Sequence, residues 1–176
     1  MYKLQFWSFD MIFAIIIFGV AITIVGYTWY NISNQLSISY GETQPILAAQ
    51  AQSFAQSLFT QGYPNDWQSV INFTNISTWY GVNIGLLNSA GTLSANKILA
   101  LSSIANYNYK ASKFPLGIIF DYYIVIYNNN INMTIGKNPA NSTTYTITSI
   151  VKKSSLNGQP VTVKVLVWTS APIGVS

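Results

Sequence analysis

Apolar and polar positions fall into three regimes along this chain. Residues 11–26 read MIFAIIIFGVAITIVG, sixteen residues without a charge, with Phe6, Trp7 and Phe9 before them and Tyr27, Trp29 and Tyr30 after. Such a run predicts a helix that is apolar on every side, and about 20 residues at ~1.5 Å each cross the hydrocarbon of a bilayer. Aromatic residues at both ends fit rings that settle at headgroup depth. Over residues 47–58 the pattern changes: Leu47, Ala51, Phe54, Ala55 and Leu58 recur at helical spacing with Gln and Ser between them. This is the signature of a helix with one apolar stripe. Gly41 and Pro45 are expected to kink or interrupt the passage between the two, because proline lacks a donor and clashes with the preceding turn.

Turn chemistry in Gln61-Gly62-Tyr63-Pro64-Asn65-Asp66-Trp67 ends the helix. Short strands are predicted over 69–73 and 81–86. Ser94 then stands as the N-cap of a second helix, with Ile98, Leu101 and Ala105 on one face and an end near Tyr107. Beyond it, period-two alternation marks strands over 117–127, 131–136, 144–153 and 161–169. Asn128-Asn129-Asn130, Lys137-Asn138-Pro139 and Asn157-Gly158-Gln159-Pro160 separate them. Asn157-Gly158 is a hairpin signal. The fold class read from this pattern is α+β. Residues 1–60 form a long N-terminal hydrophobic helix, kinked near 41–45, and residues 61–176 form a β-rich head, an antiparallel sheet or sandwich with one short helix.

Composition narrows the chemistry. The acids are Asp10, Glu42, Asp66 and Asp121, the bases are eight lysines, and arginine, histidine and cysteine are absent. Soluble surfaces usually carry about 25–35% charged residues, whereas this chain has 7%, so Asn, Ser, Thr, Gln and Tyr must hydrate it. Three carboxylates outside the apolar segment leave acid little to attack, which suits an acidic or otherwise harsh exterior. Hydrolytic triads and most metal sites need imidazole or thiolate. Asp66 and Asp121 are far apart in sequence and do not read as an acid/base pair, so no enzyme and no cofactor is expected. Dispersed lysines, of which only Lys152 and Lys153 are adjacent, argue against nucleic acid as a partner.

Lys3 and the terminal amine are the positive charges near the apolar run and favour an N-terminus inside. A cleavable signal has a shorter apolar region and a small-x-small end, whereas this run continues into Tyr27, Thr28, Trp29 and Tyr30 and is expected to be retained. Asp10 reads in two ways: a functional carboxylate beside an apolar span, or a polar residue at headgroup depth favoured by the helix dipole. Five Asn-x-Ser/Thr sequons begin at Asn31, Asn72, Asn75, Asn132 and Asn141, a small excess over chance in so Asn-rich a chain. On an exported head, Asn72, Asn75, Asn132 and Asn141 are the candidate glycosylation sites.

The run Phe6-Trp7-Ser8-Phe9-Asp10, followed by apolar residues, resembles the start of a mature type IV pilin, which opens with an aromatic residue and carries a carboxylate at the fifth position. Processing before Phe6 would place Asp10 there. The leader Met1 to Gln5 departs from the family in being very short and in ending on Gln5 rather than a small residue. The series Gly62-Tyr63-Pro64-Asn65-Asp66-Trp67, Gly81-Val82-Asn83-Ile84-Gly85-Leu86, Lys97-Ile98-Leu99-Ala100-Leu101, and Leu116-Gly117-Ile118 before Asp121-Tyr122-Tyr123-Ile124, is similar to archaeal membrane-anchored, prepilin-like proteins over about residues 61–127.

These resemblances imply a subunit that sits in the cytoplasmic membrane, is handled by a prepilin peptidase and pilus assembly machinery, and polymerises with itself into a surface filament for adhesion or cell contact. They also imply that Asp10 pairs with a neighbour's terminal amine. The helix residues expected to carry assembly are Phe6, Asp10, Phe13, Ile16, Phe18, Gly19, Ile22 and Val25. A permanently anchored accessory pseudopilin or stator-like envelope protein would share these features, differing in whether residues 11–30 lie in lipid or in protein. An adhesion module using exposed Tyr and Trp is compatible with either.

Overall fold

A computed structural model gives the fold over residues 4–171, with the side chains of 4–8 and 33–43 left aside. Lys3 and the start of the leader, on which the orientation and processing expectations rest, lie outside the described residues, as do residues 172–176 and the Phe6 side chain. The first element, α1, is a single helix Leu4–Leu58 that contains Pro45. The expected interruption does not appear as a break in the helix. Pro45 is exposed, and the carbonyl four residues back, which loses its amide partner, belongs to Gly41, a residue without a side chain to crowd the proline ring. The chain nonetheless divides at this point into two compact units, Met1–Gly41 and Glu42–Ser176.

The second unit is α+β. After α1 come β1 (Gly62–Tyr63), α2 (Trp67–Val70), β2 (Asn83–Ile84), α3 (Ala95–Tyr107), α4 (Tyr109–Ser112), β3 (Asp121–Tyr127), β4 (Asn132–Gly136), β5 (Thr146–Leu156) and β6 (Gln159–Thr169), with 3-10 turns at Ile76–Trp79 and Pro139–Asn141. β1 and β2 form a small antiparallel pair, and the main sheet is antiparallel in the order β4-β3-β6-β5. Alternation decides which side of that sheet is inside. Tyr122, Ile124 and Ile126 of β3 and Val161, Val163, Val165 and Val167 of β6 are buried. They join Leu47, Ala51, Phe54, Ala55 and Leu58 of α1 and Ile98, Leu101 and Ile104 of α3 in one core. Phe54 meets Tyr122 edge-on with ring centroids 5.6 Å apart. Each large aliphatic or aromatic side chain so buried contributes about 2 kcal/mol.

Three predicted strands take other forms. Residues 69–73 begin within α2, because Trp67 and Ile71, one turn apart, are both buried. The Trp67 indole N–H donates to the Gly85 carbonyl at 2.8 Å, which anchors that turn to β2. β3 starts at Asp121 rather than 117, since Phe114-Pro115-Leu116-Gly117 forms a turn closed by the Gly117 amide on the Phe114 carbonyl, with Gly117 at φ +63°. The 81–86 strand shortens to β2. α3 occupies its predicted span with Ser94 at the N-cap, although the Ser94 side chain makes no capping hydrogen bond. Asn157 (φ +52°) and Gly158 (φ +76°) make the tight β5–β6 hairpin that Asn-Gly foretells.

Candidate functional site

Within α1, residues Phe9–Ile32 form a 24-residue apolar stretch whose most apolar 18 residues have mean hydropathy 2.5 and none buried within the chain. At ~1.5 Å per residue it is about 36 Å long, enough to cross a membrane. Phe13, Ile16, Phe18, Ile22 and Val25 are each more than half exposed, and Asp10 and Gly19 are exposed too. At about 100° per residue, these positions spread round the whole circumference. They therefore lie on every side of the helix rather than along one face.

A finer pattern follows from the same rotation. Asp10, Ala14, Ala21 and Thr28 fall on one side, and Gly19, Thr23 and Gly26 on the other. The threonine hydroxyls of this stretch carry no unmet demand: Thr23 donates to the Gly19 carbonyl and Thr28 to the Ile24 carbonyl, both at 2.8 Å. Satisfied internally, they are compatible with an apolar surrounding. Asp10 differs, since neither ion pair among the described residues involves it.

The head places its chemistry elsewhere. Asp121, at the start of β3, accepts from Lys113 and from Lys137, the latter at 3.3 Å, and from the Tyr109 hydroxyl at 3.1 Å. Burial pushes the Asp121 carboxyl up, but the hydrogen bond and charge of Lys113, joined by Lys137, outweigh it and hold the pKa below the ordinary carboxylate value. Tyr109 also accepts from the Tyr122 amide at 2.8 Å, and burial raises its pKa. The buried Tyr122 hydroxyl lies 2.6 Å from Ser112 Oγ and is pushed up to about 12 by desolvation. Lys137 stacks over the Trp168 ring. Asp121 is fully engaged in holding β3 to the loops around it, and Asp66 is not among its partners. Among the described residues no group of three or more His, Cys, Asp or Glu side chains is placed to hold a metal.

The candidate glycosylation residues Asn72, Asn75, Asn132 and Asn141 are all exposed on the head, while Asn31 is half-buried. Asn72 Oδ1 accepts from the amide and hydroxyl of Thr74 at 3.0 and 2.9 Å, and Asn75 Oδ1 accepts from the Ser77 amide at 3.1 Å. Asn132 lies on the edge strand β4. Sequence reasoning treated the Asn128-Asn129-Asn130 turn and the β5–β6 hairpin as punctuation. The structure brings them together around a cleft of about 500 Å³, and the signal that was available is their unusual density of amide side chains. Comparison with protein-family models, curated proteins and solved structures gave no match.

Proposed function

We propose that this chain is a pilin-like structural subunit that self-assembles through its apolar helix into an extracellular surface filament, with the β-rich head as the outer layer. The observation that carries this reading is the contrast between a head with its own hydrophobic core and a 24-residue apolar stretch whose large apolar side chains are exposed. Such a helix needs a lipid or protein surrounding. In the cytoplasmic membrane lipid supplies it. On assembly, other copies of the same helix replace the lipid, and the small residues of its two sides allow close approach. Processing before Phe6 by a prepilin peptidase would bring a neighbour's amine to Asp10, whose carboxylate lacks an ion-pair partner among the described residues. Pilus assembly machinery extracts the subunit, and glycans at Asn72, Asn75, Asn132 and Asn141 hydrate a surface poor in charge. The role is structural, not catalytic, and the filament serves adhesion or cell contact.

The test is electron microscopy of material sheared from cells that express the chain, with mass spectrometry of the recovered polymer. Thin filaments dominated by this chain, with a peptide beginning at Phe6, are expected. Recovery solely from the detergent-extracted membrane would instead establish a permanently anchored subunit.

A further inference from the structure

The cleft between the β3–β4 turn and the β5–β6 hairpin is lined by Tyr127, Asn129, Asn130, Lys153, Gln159 and Thr162, among others. Its walls are tied together before any ligand arrives. Asn128 Oδ1 accepts from the amides of Asn130 and Ile131 at 2.8 and 2.7 Å, and Asn128 Nδ2 donates to the Pro160 carbonyl at 3.2 Å, joining one turn to the other. The positive φ of Asn157 and Gly158 fixes the hairpin side. A preformed cleft loses little entropy on binding.

Its position in the head also matters. Gln50 of α1 lies near the Ile119 amide, Phe54 packs on Tyr122, and the Lys152 ammonium sits over the Phe59 ring. The helix thus advances along the strands toward the turn that follows Tyr127. The cleft is at the end of this unit opposite Glu42, where the chain enters it.

We propose that this cleft is a binding site for neutral carbohydrate. Asn129, Asn130 and Gln159 each present an amide that offers a donor and an acceptor side by side, the pairing that adjacent sugar hydroxyls require. Tyr127, 40% exposed, supplies an aromatic ring for the apolar C–H face of a pyranose. The remaining lining argues against other ligand classes. It contains no carboxylate to hold a cation. Lys153 is its sole cationic side chain, which is too little for a phosphate-bearing ligand that recruits clustered Arg or Lys. Exposed amides give up hydrogen bonds to water for each bond to a sugar, so affinity is weak, with Kd about 0.1–10 mM. The inference does not depend on polymerisation.

The experiment uses the full chain in a polyoxyethylene detergent, since a glycoside detergent would compete, from a host that adds no N-glycans, so that Asn132 beside Tyr127 is bare. Binding to a panel of neutral oligosaccharides is followed by saturation-transfer NMR and calorimetry. At least one is expected to bind, with affinity falling about tenfold in Tyr127→Ala and in Gln159→Ala and changing less than about twofold in Lys153→Met. Asn129→Ala, on an exposed turn, gives a variant whose folding is not in question, and its affinity is expected to fall as well. The proposal is overturned if nothing binds at about 10 mM sugar, if the Tyr127, Gln159 and Asn129 variants all bind like the parent, or if Lys153→Met abolishes a binding that inorganic phosphate displaces.

Discussion

Lys97 is 4% exposed in a chain that spends almost no charge on its interior. Its ammonium donates to the Gln61 carbonyl at 2.6 Å and the Leu87 carbonyl at 2.8 Å, joining the loop after α1 to the loop after β2. Burial lowers its pKa, and the charge of Asp66 offsets this in part. Lys97→Met keeps the stem but leaves both carbonyls without a donor, so a loss of about 2–4 kcal/mol is expected in urea unfolding followed by circular dichroism. A loss under about 1 kcal/mol would mean that water replaces the ammonium. Asp121 tests the acid-surface idea from the other side. Its folded pKa lies below its unfolded value, so its contribution is complete above about pH 4 and disappears as pH falls through the folded pKa. Unfolding curves between pH 7 and pH 2 should therefore show one modest drop that starts near pH 4 and is absent in Asp121→Asn. A broad, multi-proton collapse would contradict the expectation of a surface with little for acid to attack.

At the scale of elements, legibility followed the physics that sets each one. α3 and the paired strands β3 to β6 were readable because period and turn chemistry act locally: Asn157-Gly158 requires a left-handed pair and receives one. The shortest elements were not, since two-residue strands and one-turn helices are set by tertiary contacts such as the Trp67 indole on Gly85, which no local pattern encodes. The cleft was illegible for the same reason, because it joins Tyr127 to Gln159 across the sheet end. In α1 the sequence revealed an apolar helix yet not its contact face, and substitution can supply that. A side chain added at Gly19 meets nothing within 4 Å in the isolated chain. Gly19→Leu should leave head unfolding and membrane insertion unchanged, and raise local helix preference by a few tenths of a kcal/mol to about 1. If Gly19 faces a neighbouring helix, the yield of sheared polymer should fall more than about tenfold. An unchanged yield would place the contact on the side of Ala14 and Ala21 instead.

For the whole molecule, the division at Gly41 separates two kinds of stability. Among the residues whose side chains are described, every member of the hydrophobic core, from Leu47 onward, belongs to the unit that begins at Glu42, so that unit has a core of its own. Residues 9–32 have the opposite character: the hydroxyls of Thr23 and Thr28 bond within the helix and the large apolar side chains are exposed, a surface that calls for lipid or protein around it. A fragment starting at Glu42 is therefore expected to stay soluble without detergent, to sediment as a monomer and to unfold at the same urea midpoint as the head within the full chain. The full chain should require detergent or lipid and alone should polymerise. Self-association of the fragment in analytical ultracentrifugation would relocate the assembly contact from the helix to the head, where the edge strands β4 and β5 carry backbone groups open to a partner. A midpoint lower by more than about 1 M urea would show that the apolar helix stabilises the head after all, and that the two units form one cooperative fold.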